Sequence, residues 1–193
     1  MVKIICFHGC GQNPELFRSL LRSLQKGLRQ HEWVYLRGFY HKQEGGWGWY
    51  KYKDKDKDND NDSKVWDENK EIDEKNRYSD MEKIGETIEN PEETVLIGFS
   101  EGGQFALDLA QCFVSIRGIV AISPAYSNGL KKWQLTNPVV LITSVNDDRV
   151  AKRYSDKWKK CMKGEVTELN HFKGHKVYLP LKMREIIKEK MRL

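Results

Sequence analysis

Apolar residues along this chain fall in short blocks, separated by stretches in which they recur at helical spacing. The blocks Val2–Phe7, Trp33–Leu36, Thr94–Ile97, Gly118–Ile122, Val139–Thr143 and Val166–Leu169 have the length of buried strands. Between the first two, Phe17, Leu20, Leu21, Leu24 and Leu28 share one helical face. That helix has a start signal at Asn13-Pro14: a capping side chain, then Pro at the first helical position. Ile84 to Ile88 predicts a short helix ending before Pro91. Phe105, Leu107, Leu109, Ala110 and Phe113 belong to a helix after the third strand. Tyr154, Trp158 and Cys161 mark another, and Met183, Ile186, Ile187 and Met191 a last one. This alternation predicts an α/β fold: a mostly parallel sheet of about six strands with helices on both faces. Right-handed crossovers then gather the connecting loops at the carboxyl ends of the strands.

The stretch from Lys51 to about Tyr78, which includes KYKDKDKDNDNDSK, breaks the pattern. It is too charged to bury a core, so residues 51–78 read as a surface insertion in a single domain spanning 1–193. Asp54, Asp56 and Asp58 resemble the opening of a calcium loop. However, Asn59 stands where such a loop needs Gly and Val65 where it needs Glu, so no metal is expected.

Composition narrows the class. Of 193 residues, 39% are hydrophobic and 32% charged, which fits a folded domain with a real core. No apolar run approaches the roughly 18 residues of a membrane span. The start, MVKIICFHG, lacks the features of a secretory signal, so a cytoplasmic location is expected, with Cys6, Cys10, Cys112 and Cys161 as thiols. The net charge is +5, concentrated late: from Lys131 onward there are 16 Lys/Arg against 7 Asp/Glu. Weak binding to an anionic surface is one consequence to test. No zinc-finger or RNA-binding signature accompanies the charge, so nucleic acid is not expected.

The chemistry is concentrated at Gly98-Phe99-Ser100-Glu101-Gly102, a G-x-S-x-G sequence between a strand and a helix. That context suits a nucleophile elbow. The turn is sharp, glycines let strand and helix approach, and the serine hydroxyl stands at a helix N-terminus. A triad then needs an acid and a histidine later in the chain. Asp147 follows the fifth strand, with Asp148 as the alternative acid, and His175 follows the sixth, just after Gly174. His171 is a competing histidine, but the loop glycine argues against a helical zinc pair with His175. The oxyanion hole needs two N–H donors. Glu101, next to the nucleophile, supplies one, and Cys10 in the loop His8-Gly9-Cys10-Gly11 supplies the other. His8 reads as loop scaffolding.

With these pieces in order, the chain resembles the α/β-hydrolase superfamily. FHGCGQN resembles the opening of the small fungal and animal family of serine hydrolases. GFSEGG followed by IVAISP resembles the phospholipase/carboxylesterase and acyl-protein thioesterase group. The resemblance covers nearly all of the chain outside the insertion. It implies a Ser-His-Asp esterase or thioesterase without a cofactor, with Ser100 as nucleophile, Asp147 as acid, His175 as base, and Cys10 and Glu101 as oxyanion donors. Three departures stand out. Glu101 replaces the usual Gln, Ser144 replaces the usual Gly, and the insertion has no counterpart.

Only Pro124 to Asn137 joins the fourth and fifth strands, which leaves no room for a large lid. Trp47, Trp49 and Tyr50 are expected to wall an acyl pocket suited to short or medium acyl esters or thioesters, the alternative being ordinary packing under a long loop. Two other readings remain: a hydrolase-fold binding protein without catalysis, and a triad acting on carbon–carbon or peptide bonds.

Overall fold

The apolar blocks pair with one another. The computed structural model describes residues 1–42, 45–53, 67, 69, 71–112, 115–127 and 134–193. Its elements run β1 (Lys3–Phe7), α1 (Pro14–Lys26), β2 (Glu32–Leu36), β3 (Tyr40–His41), β4 (Trp47–Gly48), α2 (Glu74–Gly85), β5 (Thr94–Phe99), α3 (Glu101–Ala110), β6 (Gly118–Ile122), β7 (Val139–Ser144), α4 (Lys152–Cys161), β8 (Val166–His171) and α5 (Leu181–Met191). Six strands form one sheet in the order β2-β1-β5-β6-β7-β8, and every neighbouring pair is parallel. The small antiparallel pair β3–β4 stands apart.

The sheet splits each apolar block between two cores, because successive side chains point to opposite faces. Ile5, Phe7, Leu96, Ile119 and Leu141 meet Met81 of α2, Phe105 of α3 and Trp158 of α4. Ile4, Cys6, Val95, Val120 and Ile142 meet Phe17 and Leu21 of α1 and Ile187 of α5. Burial on both faces explains why these strands read as unbroken apolar runs rather than alternating ones. α1 begins as its start signal predicts: the Asn13 side chain accepts the Leu16 N–H at 2.8 Å, with Pro14 at the first position.

The helix expected at Ile84–Ile88 is instead α2, which starts ten residues earlier, at Glu74, and ends at Gly85. This also corrects the boundary of the insertion, whose last residues are helical. Arg77 and Asp80 of α2 are buried, and Ile72 joins the core. The base of the insertion is closed by pairing of Tyr52 with Ile72, by Lys53 N–H to Glu71 O at 3.0 Å and by Asp73 N–H to Lys51 O at 2.8 Å. Asp54, Asp56, Asp58, Asn59 and Val65 of the calcium comparison lie outside the described residues, as does Phe113.

The basic third of the chain is interleaved with acid. Lys159 reaches Asp156 and Glu168, Lys188 reaches Glu185, and Lys190 reaches Glu165. Among the described residues, no helix is long and apolar enough to cross a membrane.

Candidate active site

β5 ends at Phe99 and α3 begins at Glu101, leaving Ser100 alone to turn the chain. Ser100 sits at φ 55°, ψ −120°, a conformation that L-residues rarely adopt. Its N–H is held by Ile122 O at 2.9 Å, and its carbonyl accepts the N–H groups of Gln104 and Ala125, both at 3.0 Å. The flanking glycines are required by contact. A Cβ on Gly98 would lie 2.2 Å from Gly102 O, and one on Gly102 would lie 2.3 Å from the carbonyl oxygens of Phe7 and His8.

Two further strand ends bring the other chemistry to Ser100. His175 follows β8, and its Nε2 lies 3.0 Å from Ser100 Oγ. Asp147 follows β7, and its Oδ2 lies 2.9 Å from His175 Nδ1. The other Asp147 oxygen accepts the N–H groups of Arg149 at 2.9 Å and Val150 at 2.8 Å. Burial works to raise the Asp147 pKa, but the bond from His175 and those two backbone donors outweigh it and hold the carboxyl below its ordinary range. The neighbouring Asp148 is exposed. The His175 ring packs on Phe99, with centroids 4.8 Å apart. Gly174 takes φ +67° to turn the chain into His175, and its N–H donates to Asn146 Oδ1 at 3.1 Å. The same Asn146 oxygen accepts Ser144 Oγ–H at 2.8 Å, so Asn146 ties the acid loop to the histidine loop. No spacing rule singles out Asn146 in the sequence.

The loop after β1 packs against the elbow. His8 is buried and bonded at both ring nitrogens. Nδ1 pairs with Gly9 O at 2.8 Å, and Nε2 accepts the Gly38 N–H at 3.1 Å. That pattern assigns the proton to Nδ1, and burial lowers the pKa, keeping the ring neutral. Scaffolding is therefore its role. Gly11, at φ +73°, donates to Trp47 O, and Trp47 donates to Gln12 O, both at 2.9 Å. This seats β4 directly on the loop that carries Cys10. As the first residue of α3, Glu101 has an N–H with no intrahelical acceptor.

The Glu101 side chain is wholly buried. One carboxyl oxygen accepts the Trp49 N–H at 2.9 Å and the other the Tyr52 hydroxyl at 2.8 Å. Burial pushes the carboxyl up from its ordinary range. The charge of Lys42 and the hydrogen bonds of Trp49, Tyr52 and Cys10 pull it part of the way back.

Of the three aromatic residues expected to wall a pocket, two are elsewhere. Trp49 and Tyr50 are completely buried core residues. Trp49 Nε1–H donates to His8 O at 2.7 Å, and the Tyr50 hydroxyl donates to Asp108 at 2.6 Å. Both rings pack in the core with Phe7 of β1, Met81 of α2 and Phe105 of α3. Trp47 alone is half-buried, with Arg37 stacked 4.3 Å over its ring. The competing His171 is buried at the end of β8, where its Nδ1 accepts the Lys173 N–H at 3.1 Å. Among the described residues, no cluster of His, Cys, Asp and Glu could hold a metal ion.

A family model described as Serine hydrolase (FSH1) matches residues 1–185. No curated protein matches by sequence. Among solved structures, a carboxylesterase from Bacillus cereus superposes over 99% of this chain and 87% of its own, with TM-score 0.72 and 18% identity. SOBER1 of Arabidopsis thaliana covers 99% and 97%, with TM-score 0.71 and 14% identity. A carboxylesterase from Mesorhizobium loti covers 97% and 87%, with TM-score 0.70 and 15% identity. At such identities these neighbours establish the fold, which is that of the α/β hydrolases without a large lid.

Proposed function

From the premise that this chain belongs to the FSH1 serine hydrolase family, we propose that it hydrolyses carboxylic esters or thioesters of short to medium acyl chains through an acyl-enzyme. The observation that carries this reading is the continuous hydrogen-bonded relay from Ser100 through His175 to Asp147.

In the proposed reaction, His175 Nε2 takes the Ser100 proton as Oγ attacks the acyl carbonyl. Asp147 fixes the ring with Nδ1–H toward itself and stabilises the imidazolium. The oxyanion is held by the backbone N–H groups of Glu101 and Cys10. The protonated His175 then gives its proton to the leaving alcohol or thiol. Water, activated by the same imidazole, releases the acid and restores Ser100. Trp47, beside the oxyanion loop, forms the apolar wall for the acyl chain. No cofactor enters any step.

The test is labelling with a fluorophosphonate probe together with turnover of p-nitrophenyl butyrate and a matching thioester. Wild type should label and turn over. Ser100→Ala should lose labelling and fall by on the order of 10⁶ in kcat. A folded wild-type protein that neither labels nor turns over any acyl substrate would refute the reading. Cleavage of peptides or carbon–carbon bonds in preference to esters would redirect it.

A further inference from the structure

We infer that the Glu101 side chain is a positioning residue that locks the two oxyanion donors into one unit, by clamping the segment after β4 to the start of α3. The inference rests on the reading above, in which the donors are the N–H groups of Glu101 and Cys10.

The donors come from elements far apart in sequence. One opens α3, and the other lies on the loop after β1. Their relative position must be held to a fraction of an ångström for the oxyanion to feel both. Hydrogen bonds form a continuous path between them, beside the direct bond of the Cys10 side chain to the Glu101 carboxyl. From Glu101, the carboxylate takes the Trp49 N–H at 2.9 Å and the Tyr52 hydroxyl at 2.8 Å. Two residues before Trp49, Trp47 exchanges backbone bonds with Gly11 and Gln12, both at 2.9 Å. Gly11 and Gln12 close the turn that begins at Gly9 and holds Cys10, with Gln12 N–H to Gly9 O at 3.1 Å. The Trp49 indole adds a second tie by donating to His8 O at 2.7 Å. The glycines show how close the contact is. A Cβ on Gly46 would lie 1.9 Å from Gly11 O, and one on Gly48 would lie 3.1 Å from a Glu101 carboxyl oxygen.

The chemistry suits a carboxylate. Beside the Cys10 thiol, its partners are a backbone N–H and a phenol, which both donate, and an ionised carboxyl is an acceptor on both oxygens. Engaged this way, the charge is directed into the clamp, which answers how an acid is tolerated beside a developing oxyanion. A glutamine can hold the same two partners, accepting from Trp49 with its oxygen and donating to the Tyr52 oxygen with its amide. An alanine can hold neither.

The experiment compares Glu101→Ala, Glu101→Gln and Tyr52→Phe with wild type. Three readouts are taken: p-nitrophenyl butyrate kinetics, inhibition by an alkyl boronic acid, whose tetrahedral Ser100 adduct mimics the oxyanion, and hydrogen exchange at the Gly11 and Trp47 amides. Glu101→Ala should lose roughly a hundredfold in kcat, the effect of a misplaced oxyanion donor, with KM little changed. Its boronate affinity should fall in parallel, and both amides should exchange faster. Glu101→Gln should recover to within roughly tenfold of wild type, since both clamp bonds can re-form. Tyr52→Phe should fall between the two.

A merely structural role would lower the melting temperature without separating kcat and boronate affinity from KM. If wild type turns over ester while Glu101→Ala and Tyr52→Phe keep its kcat and boronate affinity, the inference is overturned and the ester reading stands. If wild type itself is inert, the ester reading fails first. Should Glu101→Ala not fold, Tyr52→Phe decides: unchanged kcat with unchanged exchange at Gly11 and Trp47 overturns the clamp.

Discussion

At the scale of single residues, the site sets two carboxyl groups in opposite electrostatic situations. Asp147 has donors on both oxygens and a pKa held below its ordinary value. Replacing it by Asn keeps the volume, but the amide can present an N–H to His175 and favour the wrong tautomer. We expect Asp147→Asn to lose on the order of 10⁴ in kcat while remaining folded, and steady-state kinetics with circular dichroism will check it. Glu101 has the reverse shift, since burial raises its pKa. The folded protein therefore holds that proton more tightly than the unfolded chain. Its contribution to stability is greatest below the unfolded value and declines as pH rises through the folded one. Gln does not titrate. The melting temperature of Glu101→Gln minus that of wild type should therefore climb from about pH 4 toward neutrality. A difference that stays flat over that range would show that Glu101 is not desolvated as the structure describes. Stability gained at neutral pH alongside some loss of rate would be the usual trade between rigidity and an active site.

At the scale of elements, α2 is fixed to α3 by polar groups as well as by its few apolar ones. Arg77 of α2 lies 3.4 Å from Asp108 of α3, both nearly inaccessible, and the Tyr50 hydroxyl shares the same carboxylate. Asp108→Ala leaves the Arg77 charge buried without its counter-ion. It should destabilise the fold by about 3–5 kcal/mol in urea unfolding, far more than the loss of a surface pair. This polar anchoring is also why α2 was hard to read. Its sequence EKNRYSDMEKIG buries Arg77 and Asp80 beside Met81 and Ile84, so apolar periodicity alone caught only its end. β3 and β4 have two residues each, too few for any period to register. The four inner strands of the sheet, β1, β5, β6 and β7, were legible because burial on both faces leaves few polar positions to interrupt them. The elbow was legible because its glycines answer contacts near 2.2 Å that no side chain tolerates. Aromatic residues at and after β4 were legible as important, but pocket wall and core packing stayed open, since a ring that walls a pocket and a ring that fills a core look alike in sequence. The partners of Glu101 lie about fifty positions away along the chain and left no local mark.

At the scale of the whole molecule, the parallel sheet gathers the site from strands of unequal security. Ser100 follows β5, which is buried at every position in the middle of the sheet. Asp147 follows β7, also wholly buried. His175 follows β8, an edge strand that among the described residues pairs with β7 alone and is half-exposed or exposed at every position except its last. Local opening draws on the parts with the least buried apolar contact. His175, the proposed base, therefore hangs on one of the least secured strands of the sheet, while Ser100, the proposed nucleophile, sits on one of the most secured. In a urea titration, ester turnover should be lost at lower denaturant than the far-ultraviolet circular dichroism, because fraying of β8 moves His175 away from Ser100 before the central strands separate. The fluorescence of Trp158, buried in the central core, should follow the later transition. Coincident loss of activity and secondary structure would mean instead that β8 unfolds with the centre of the sheet. In that case the bonds from Asn146 to Gly174 N–H and from Val145 N–H to His171 O would be holding the edge as firmly as burial holds the middle.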